Sequence, residues 1–399
     1  MDSATLARAA KPAEKPIPFD TGRLDDLLED AGIDLLLVTS KHNVQYLLGG
    51  YRFFFFDYMD AMGVSRYLPV LVYRRGRPEE AAYIGYRLEA FEHELGKFWP
   101  PAVKPASSGS VDAIKLAVEH IRGLGPGIRH IGIEASFLPA DADAALRVAL
   151  PDCEIIDAHF PLERLRAIKT PAELGLLREA SERVVASMLA VFASCAPGTT
   201  KTELVEKLRR EEVGRGLTFE YCLITAGTSL NRAPSDQRLE PGDVISLDSG
   251  GNYRGYIGDL CRMGILGAPD SELQDLLAAI DVIQQAAREP IRRDARGGDI
   301  FVAAQKLMSA SPHRPYLEFI AHGMGLISHE APRLATNRAY SGYDADRALE
   351  SGMVVSIETT MKHPRRGFIK LEDTVAVTED GCEAFGDTGR GWNRAGKPA

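Results

Sequence analysis

The chain reads as two domains of different class, an α/β layer domain over residues 16–160 and an α+β domain over 161–399, behind a short disordered tail at 1–15. Three observations carry this. Strand-like and helix-like segments alternate from Arg23 to about residue 160. A capping box, Thr170-Pro171-Ala172-Glu173 with proline at the first helical position, then opens a long helix. Beyond it the helices run together and the strands come as separate hairpins, which is the α+β pattern. A length of 399 residues is enough for two ordinary domains.

The first domain opens with a short amphipathic helix at 26–30, followed by IDLLLVT at 33–39, a continuous apolar run of buried-strand type. Further strands are expected at 67–73, 82–85, 130–135 and 154–158, with helices at 110–124 and 139–150. In the second domain, the helix from Thr170 carries an apolar stripe (Leu177, Ala180, Val184, Met188, Val191, Cys195) and stops at Pro197-Gly198. A second capping box, Thr200 to Glu203, starts a helix that exits at 214–216. Strands follow at 219–226, 244–250 and 255–264, helices at 271–288 and 299–308, and strands again at 353–360 and 368–378.

Composition narrows the function classes. Lys and Arg total 47 against 56 Asp and Glu, a net charge of −9. That sign argues against a nucleic-acid or anionic-membrane partner, since phosphates recruit clustered cations. No stretch reaches the roughly 18–20 apolar residues of a membrane span, and the polar, Ala-rich start shows no secretion signal. Five scattered cysteines without metal-type spacing suit a reducing cytoplasm.

Strand arithmetic exposes the chemistry. Val244, Ser246 and Asp248 share one strand face, because side chains alternate with period two. A hairpin centred between Tyr253 and Arg254 would set Asp248 opposite Asp259. A second, centred on Arg365, would set Glu358 opposite Glu372. Opposed like charges are destabilising, and burying four unpaired carboxylates costs several kcal/mol each. Divalent cations would neutralise them. The alternative is that the acids point outward or pair with Arg262 and Lys370. Seven of the nine histidines stand in no motif. His322 and His329 do, in Ala321-His322-Gly323-Met324-Gly325 and Ser328-His329-Glu330, where glycines permit close approach of other groups. With a histidine nitrogen the acids give five ligands for two metals, leaving positions open for water.

These motifs, in this order, resemble the pita-bread metallohydrolases: prolidase, aminopeptidase P and their creatinase-like relatives. The resemblance rests on Leu247-Asp248-Ser249-Gly250, Gly258-Asp259-Leu260-Cys261-Arg262, His322-Gly323-Met324-Gly325 with His329-Glu330-Ala331-Pro332, residues 352–358 ending in Glu358, and Leu371-Glu372-Asp373. Residues 165–173, Gly32-Ile33-Asp34 and 43–47 extend it over nearly the whole chain. It implies a creatinase-type N-terminal domain, and a pita-bread catalytic domain of two similar α+β halves with the metal site between them. It also implies a homodimer in which one subunit's N-terminal domain helps cover the other's site. Phe53 to Phe56 would then be either a covering loop or a plain core strand.

The implied activity is hydrolysis of a C–N bond, as an Xaa-Pro dipeptidase or aminopeptidase acting on small peptides. The alternatives are a hydrolase of a small non-peptide amide or amidine, like creatinase or ectoine hydrolase, and a non-catalytic binding relative. The implied metal ligands are Asp248, Asp259, His322, Glu358 and Glu372. This hard, oxygen-rich set suits two Mn²⁺ ions, with Co²⁺, Fe²⁺ or Zn²⁺ as substitutes. Glu358 is the implied general base and His329 the group that steadies the developing oxyanion. Three positions depart from the family: Asn231 for a substrate-contacting histidine, Thr359 for a proline, and Lys370 for an arginine. All three are expected on the substrate side or behind the ligands, with Asn231, Lys370 and His329 touching substrate, which puts prolyl specificity in question.

Overall fold

The computed structural model describes residues 15–58, 67–335 and 343–395; most of the expected tail at 1–15 lies outside them. The chain divides into compact units at 1–165 and 166–399, and the two are taken separately.

The first unit holds a six-stranded mixed sheet in the order β4-β3-β2-β1-β5-β6. Its strands are β1 (Leu35–Val38), β2 (Val70–Arg74), β3 (Arg77–Tyr86), β4 (Ala102–Ser107), β5 (His130–Ile133) and β6 (Glu154–Asp157). β1 lies at the centre and is wholly buried, which is why its sequence runs apolar without alternation. Aliphatic cores fill both faces of this sheet. The strand β4 escapes the sequence reading because Ala-Val-Lys-Pro-Ala-Ser has no apolar alternation and carries a proline, as edge strands do. Residues 54–58 form a short 3₁₀ turn rather than a core strand. There Phe53 and Phe56 are buried with Tyr67 and Tyr86, while Phe54 stays exposed.

The second unit is built on the helices Pro171–Ala193 and Lys201–Gly214, then Ser271–Arg288 and Asp299–Ala310. Both expected capping boxes are present, at Thr170 with Glu173 and at Thr200 with Glu203. The sheet runs β10-β11-β12-β9-β8-β7, with β7 (Thr218–Ala226), β8 (Val244–Tyr253), β9 (Tyr256–Ile265), β10 (Leu317–Gly323), β11 (Val354–His363) and β12 (Gly367–Val377). Two short strands, β13 (Cys382–Phe385) and β14 (Asn393–Arg394), add to β12 and β9. The β8–β9 and β11–β12 hairpins are the middles of two similar halves, each with its own helix pair and apolar core. They join at one residue pair, Glu372 on Cys261.

One register differs from expectation. Glu358 does face Glu372, but Asp248 faces Cys261 and Asp259 faces Gly250. The turn is the two-residue Arg254-Gly255, both at positive φ (53° and 101°), so the hairpin axis falls one residue later than the centre assumed. The two aspartates keep a common face as diagonal neighbours.

The opposite face of the sheet pins these strands. Asp373, next to Glu372 and completely buried, takes ion pairs from Arg262 (3.1 Å), Arg288 (2.9 Å) and Arg390 (2.5 Å). Burial pushes its carboxyl up, but Arg262 and its companions hold it well below the usual range. Of the expected partners of the acids, Arg262 is therefore engaged elsewhere. A depressed carboxyl stabilises the fold fully above its unfolded value, near 3.9, and loses that contribution as pH falls through the folded value. Asp373→Asn should cost about 3–5 kcal/mol at neutral pH, because it strands buried guanidinium charge. The difference from wild type should shrink below about pH 4, a trend that urea titrations across pH would read directly.

Candidate metal centre

Because paired residues share a face, the register builds the site row by row. One transverse row reads Ile320, Glu358, Glu372, Cys261, Asp248, Leu223 from β10 to β7. It carries three of the four acids. One pleat away, His322 pairs Ser356, Ser356 pairs Thr374, and Tyr221 pairs Gly250, which pairs Asp259. The five expected donors thus meet on one sheet face, from five strands. Asp259, His322 and His329 have potential ligand atoms within 4.8 Å of one another, as do His322, Glu358 and Glu372, and Asp248, Asp259 and Glu372. The residues fit a divalent ion: these are buried, mostly anionic donors converging on one small space.

Glu358 is the most accessible of the acids, its side chain 12% exposed, and its Oε1 lies 3.0 Å from His322 Nε2. Burial pushes its carboxyl up, yet Lys370 and His322 outweigh that and hold it low. Glu372 goes the other way, pushed up to about 8 by burial and then by the Glu358 charge. Asp259 is likewise raised, by burial and then by Glu372 and Asp248. The same face thus holds a carboxylate that keeps its charge beside carboxyls that resist ionising.

The three positions expected to depart from the family pattern fall as follows. Lys370 is 2% exposed, lines the cavity beside the acids, hydrogen-bonds Asp248 and makes ion pairs with Glu358 and Glu372. It alternates in step with Glu372, so it shares the acid face, and the expected Lys370 pairing with the acids is the arrangement found. Thr359 is also buried, on the opposite face, donating to Gln284 Oε1 at 2.6 Å. Asn231 is exposed. Its Oδ1 accepts the Ala233 N–H at 2.9 Å, an Asx turn, and its carbonyl accepts from Lys201 Nζ at 2.6 Å.

Three contributors were not anticipated. Arg232, beside Asn231, donates to Asp248 Oδ2 with its guanidinium over the Phe368 ring. Tyr221 bonds to Asp259, and burial followed by that charge raises its phenol. A Cβ on Gly250 would overlap the Tyr221 ring, so glycine there admits the tyrosine. Ser328 shares a hydrogen bond with Tyr221. Period two from Leu223 could have flagged Tyr221; nothing in the sequence marks Arg232. A cavity of about 380 Å³ opens on Tyr221, Leu223, Arg232, Ser328, His329 and the acids.

His329 packs against His322 with the rings tilted by 32° and their centroids 3.8 Å apart. Its segment is anchored by Glu330, which is wholly buried between Arg166 (2.8 Å) and Lys169 (3.0 Å). Removing that carboxylate would leave two buried cations facing each other. Glu330→Ala should lose about 3–5 kcal/mol of stability, seen as a lowered chemical-denaturation midpoint. An unchanged midpoint would mean the triad does not hold this segment.

Residues 21–168 match the Creatinase/Prolidase N-terminal domain and residues 175–379 match metallopeptidase family M24. The chain is 23% identical over 380 residues to an Xaa-Pro dipeptidase of Pyrococcus horikoshii, covering 92% of this chain and 97% of the relative. Its fold is similar to that of an Xaa-Pro dipeptidase from Bacillus anthracis (TM-score 0.79, 23% identity, 94% and 98% of the two chains). It is also similar to an X-Pro aminopeptidase from Thermotoga maritima (TM-score 0.74, 19% identity, 93% and 99%).

Proposed function

Because the chain belongs to metallopeptidase family M24, with a creatinase/prolidase N-terminal domain ahead of the catalytic one, we propose that it hydrolyses Xaa-Pro bonds in small peptides, as a dipeptidase or aminopeptidase. The observation that carries this is the convergence of Asp248, Asp259, His322, Glu358 and Glu372 on one sheet face beside a small cavity. These five are the donors for divalent metal, with Mn²⁺ first, and they suffice for two ions. When bound, such metal supplies Lewis acidity and a nucleophilic water near neutral pH.

The chain's own residues do the rest. Glu358, the most open of the acids, takes a proton at its carboxylate and returns it to the leaving nitrogen. His329, on the cavity wall, donates to the carbonyl oxygen as charge develops there. A cavity of about 380 Å³ suits a dipeptide or a comparably small amide. A homodimer and a cytoplasmic location belong to the same proposal; likeness of the chain to family members supports the first, and five unbridged cysteines support the second.

His329→Ala should keep its metal content and lose about 10²–10³ in kcat. Metal loss in that variant would exchange the roles of the two histidines.

One observation favours the second reading, a small non-peptide amide substrate. The Asn231 side chain is closed on its own turn and offers the substrate less than a histidine would. Wild-type protein should hydrolyse Xaa-Pro dipeptides slowly and only with divalent metal. Asn231→His should raise kcat/KM by at least about tenfold, without changing metal content. Robust wild-type turnover with no gain would make this a plain prolidase. No turnover of any Xaa-Pro substrate by either protein, with turnover of small amides, would establish the second reading.

A further inference from the structure

The centre contains its own cation. Lys370 stands two residues before Glu372 on the same strand face, so its stem runs alongside the row of acids. Its Nζ lies 2.6 Å from Asp248 Oδ2, 2.7 Å from Glu358 Oε2 and 2.7 Å from Glu372 Oε2. An ammonium is a donor only; this one hydrogen-bonds Asp248 and stands at ion-pair distance from Glu358 and Glu372, three of the five candidate ligands. The side chain is 3% exposed, leaving little water to share that charge. A compact point charge with three donors on one atom meets a corner of three carboxylates much as a metal ion does. Of the five candidate ligands, Lys370 bonds to neither Asp259 nor His322.

Charge points the same way. Asp248, Asp259, Glu358 and Glu372 sum to −4 when ionised, and Lys370 with Arg232, which also donates to Asp248 Oδ2, supplies +2. The remainder of −2 is what one divalent ion neutralises. A second ion would leave +2 in a buried space, which is costly. We infer that this centre holds one divalent ion tightly and uses the Lys370 ammonium in place of a second, any further ion entering only weakly. This rests on the metallopeptidase reading and narrows it from two ions to one ion with a tethered cation.

The test is metal stoichiometry on the full chain. Metal-stripped protein is titrated with Mn²⁺ by calorimetry, and the metal retained after desalting is measured by mass spectrometry, with Mn²⁺ electron paramagnetic resonance on the same samples. Wild type should retain about one Mn²⁺ per chain and give the spectrum of an isolated ion. Lys370→Met, which keeps the stem and removes the charge, should retain about two and show an exchange-coupled pair. Arg232→Gln lies at a partly exposed position that does not threaten folding, and it should tighten the second ion by about tenfold or more. Two tightly held ions in wild type would overturn the inference and leave the metallopeptidase reading intact. So would a second-ion affinity unchanged in both variants. Failure of wild type and both variants to bind Mn²⁺, Co²⁺, Fe²⁺ or Zn²⁺ would sink the metallopeptidase reading together with the inference.

Discussion

Crowding of like charge on one face of one sheet is the constraint to which the rest of the catalytic unit answers. Three carboxylates stand in a single transverse row and the fourth one pleat away. Left to themselves they would push the two hairpins apart. The alternation of the strands places the counterforce directly beneath. Glu372 faces the site and Asp373 faces three arginines. Glu358 faces the site and Thr359 is held by Gln284, which also bonds Asp373 and the Ile357 carbonyl. Arg262, adjacent to Cys261 in the acid row, ties the Glu372 carbonyl to the loop after β13 through the Gly386 carbonyl. Each strand that carries an acid upward is thus held by an oriented polar group downward. The site's strain and its support share a backbone.

The same logic governs the histidine segment. His322 lies on a strand and its place is set by pairing with Ser356. His329 lies past the strand's end, where pairing shrinks to a single bridge between Gly323 and Glu330, and there the fold adds a buried ion triad through the same Glu330. A buried triad is a poor source of net stability, but breaking one is expensive. It serves to make one loop conformation much better than its competitors.

What could be read in the sequence follows from what periodicity encodes. Parity gives the face, so the convergence of Asp248, Asp259, Glu358 and Glu372 was legible, and Arg365 at the hairpin centre gave the second register. The first register was not, because a two-residue turn and a longer one look alike in Gly250-Gly251-Asn252-Tyr253-Arg254-Gly255 until the φ angles are known. Because the error was a whole two-residue step in pairing, it moved Asp259 along the face without turning it over. Strands β4 and β10 were missed as short segments with little apolar alternation. Lys370 was visible as a member of the acid face, yet its reach into the cluster depends on a four-carbon stem whose direction no pattern records.

Residue 231 shows a further limit of motif reading, in which a substitution is assumed to act at the position where it occurs. An asparagine can close an Asx turn on the backbone two residues on, and here it does so, with Lys201 fastening the same turn from below. Its side-chain oxygen is thereby spent on local structure. The residue that reaches the acids is the next one, Arg232, steadied by the Phe368 ring and bonded to Asp248. The turn at 231 and the cation at 232 are therefore one structural event. A turn closed by its own carboxamide carries its neighbour to the cavity wall, which sets a fixed positive charge against the acids. A guanidinium keeps that charge at every pH where the acids matter.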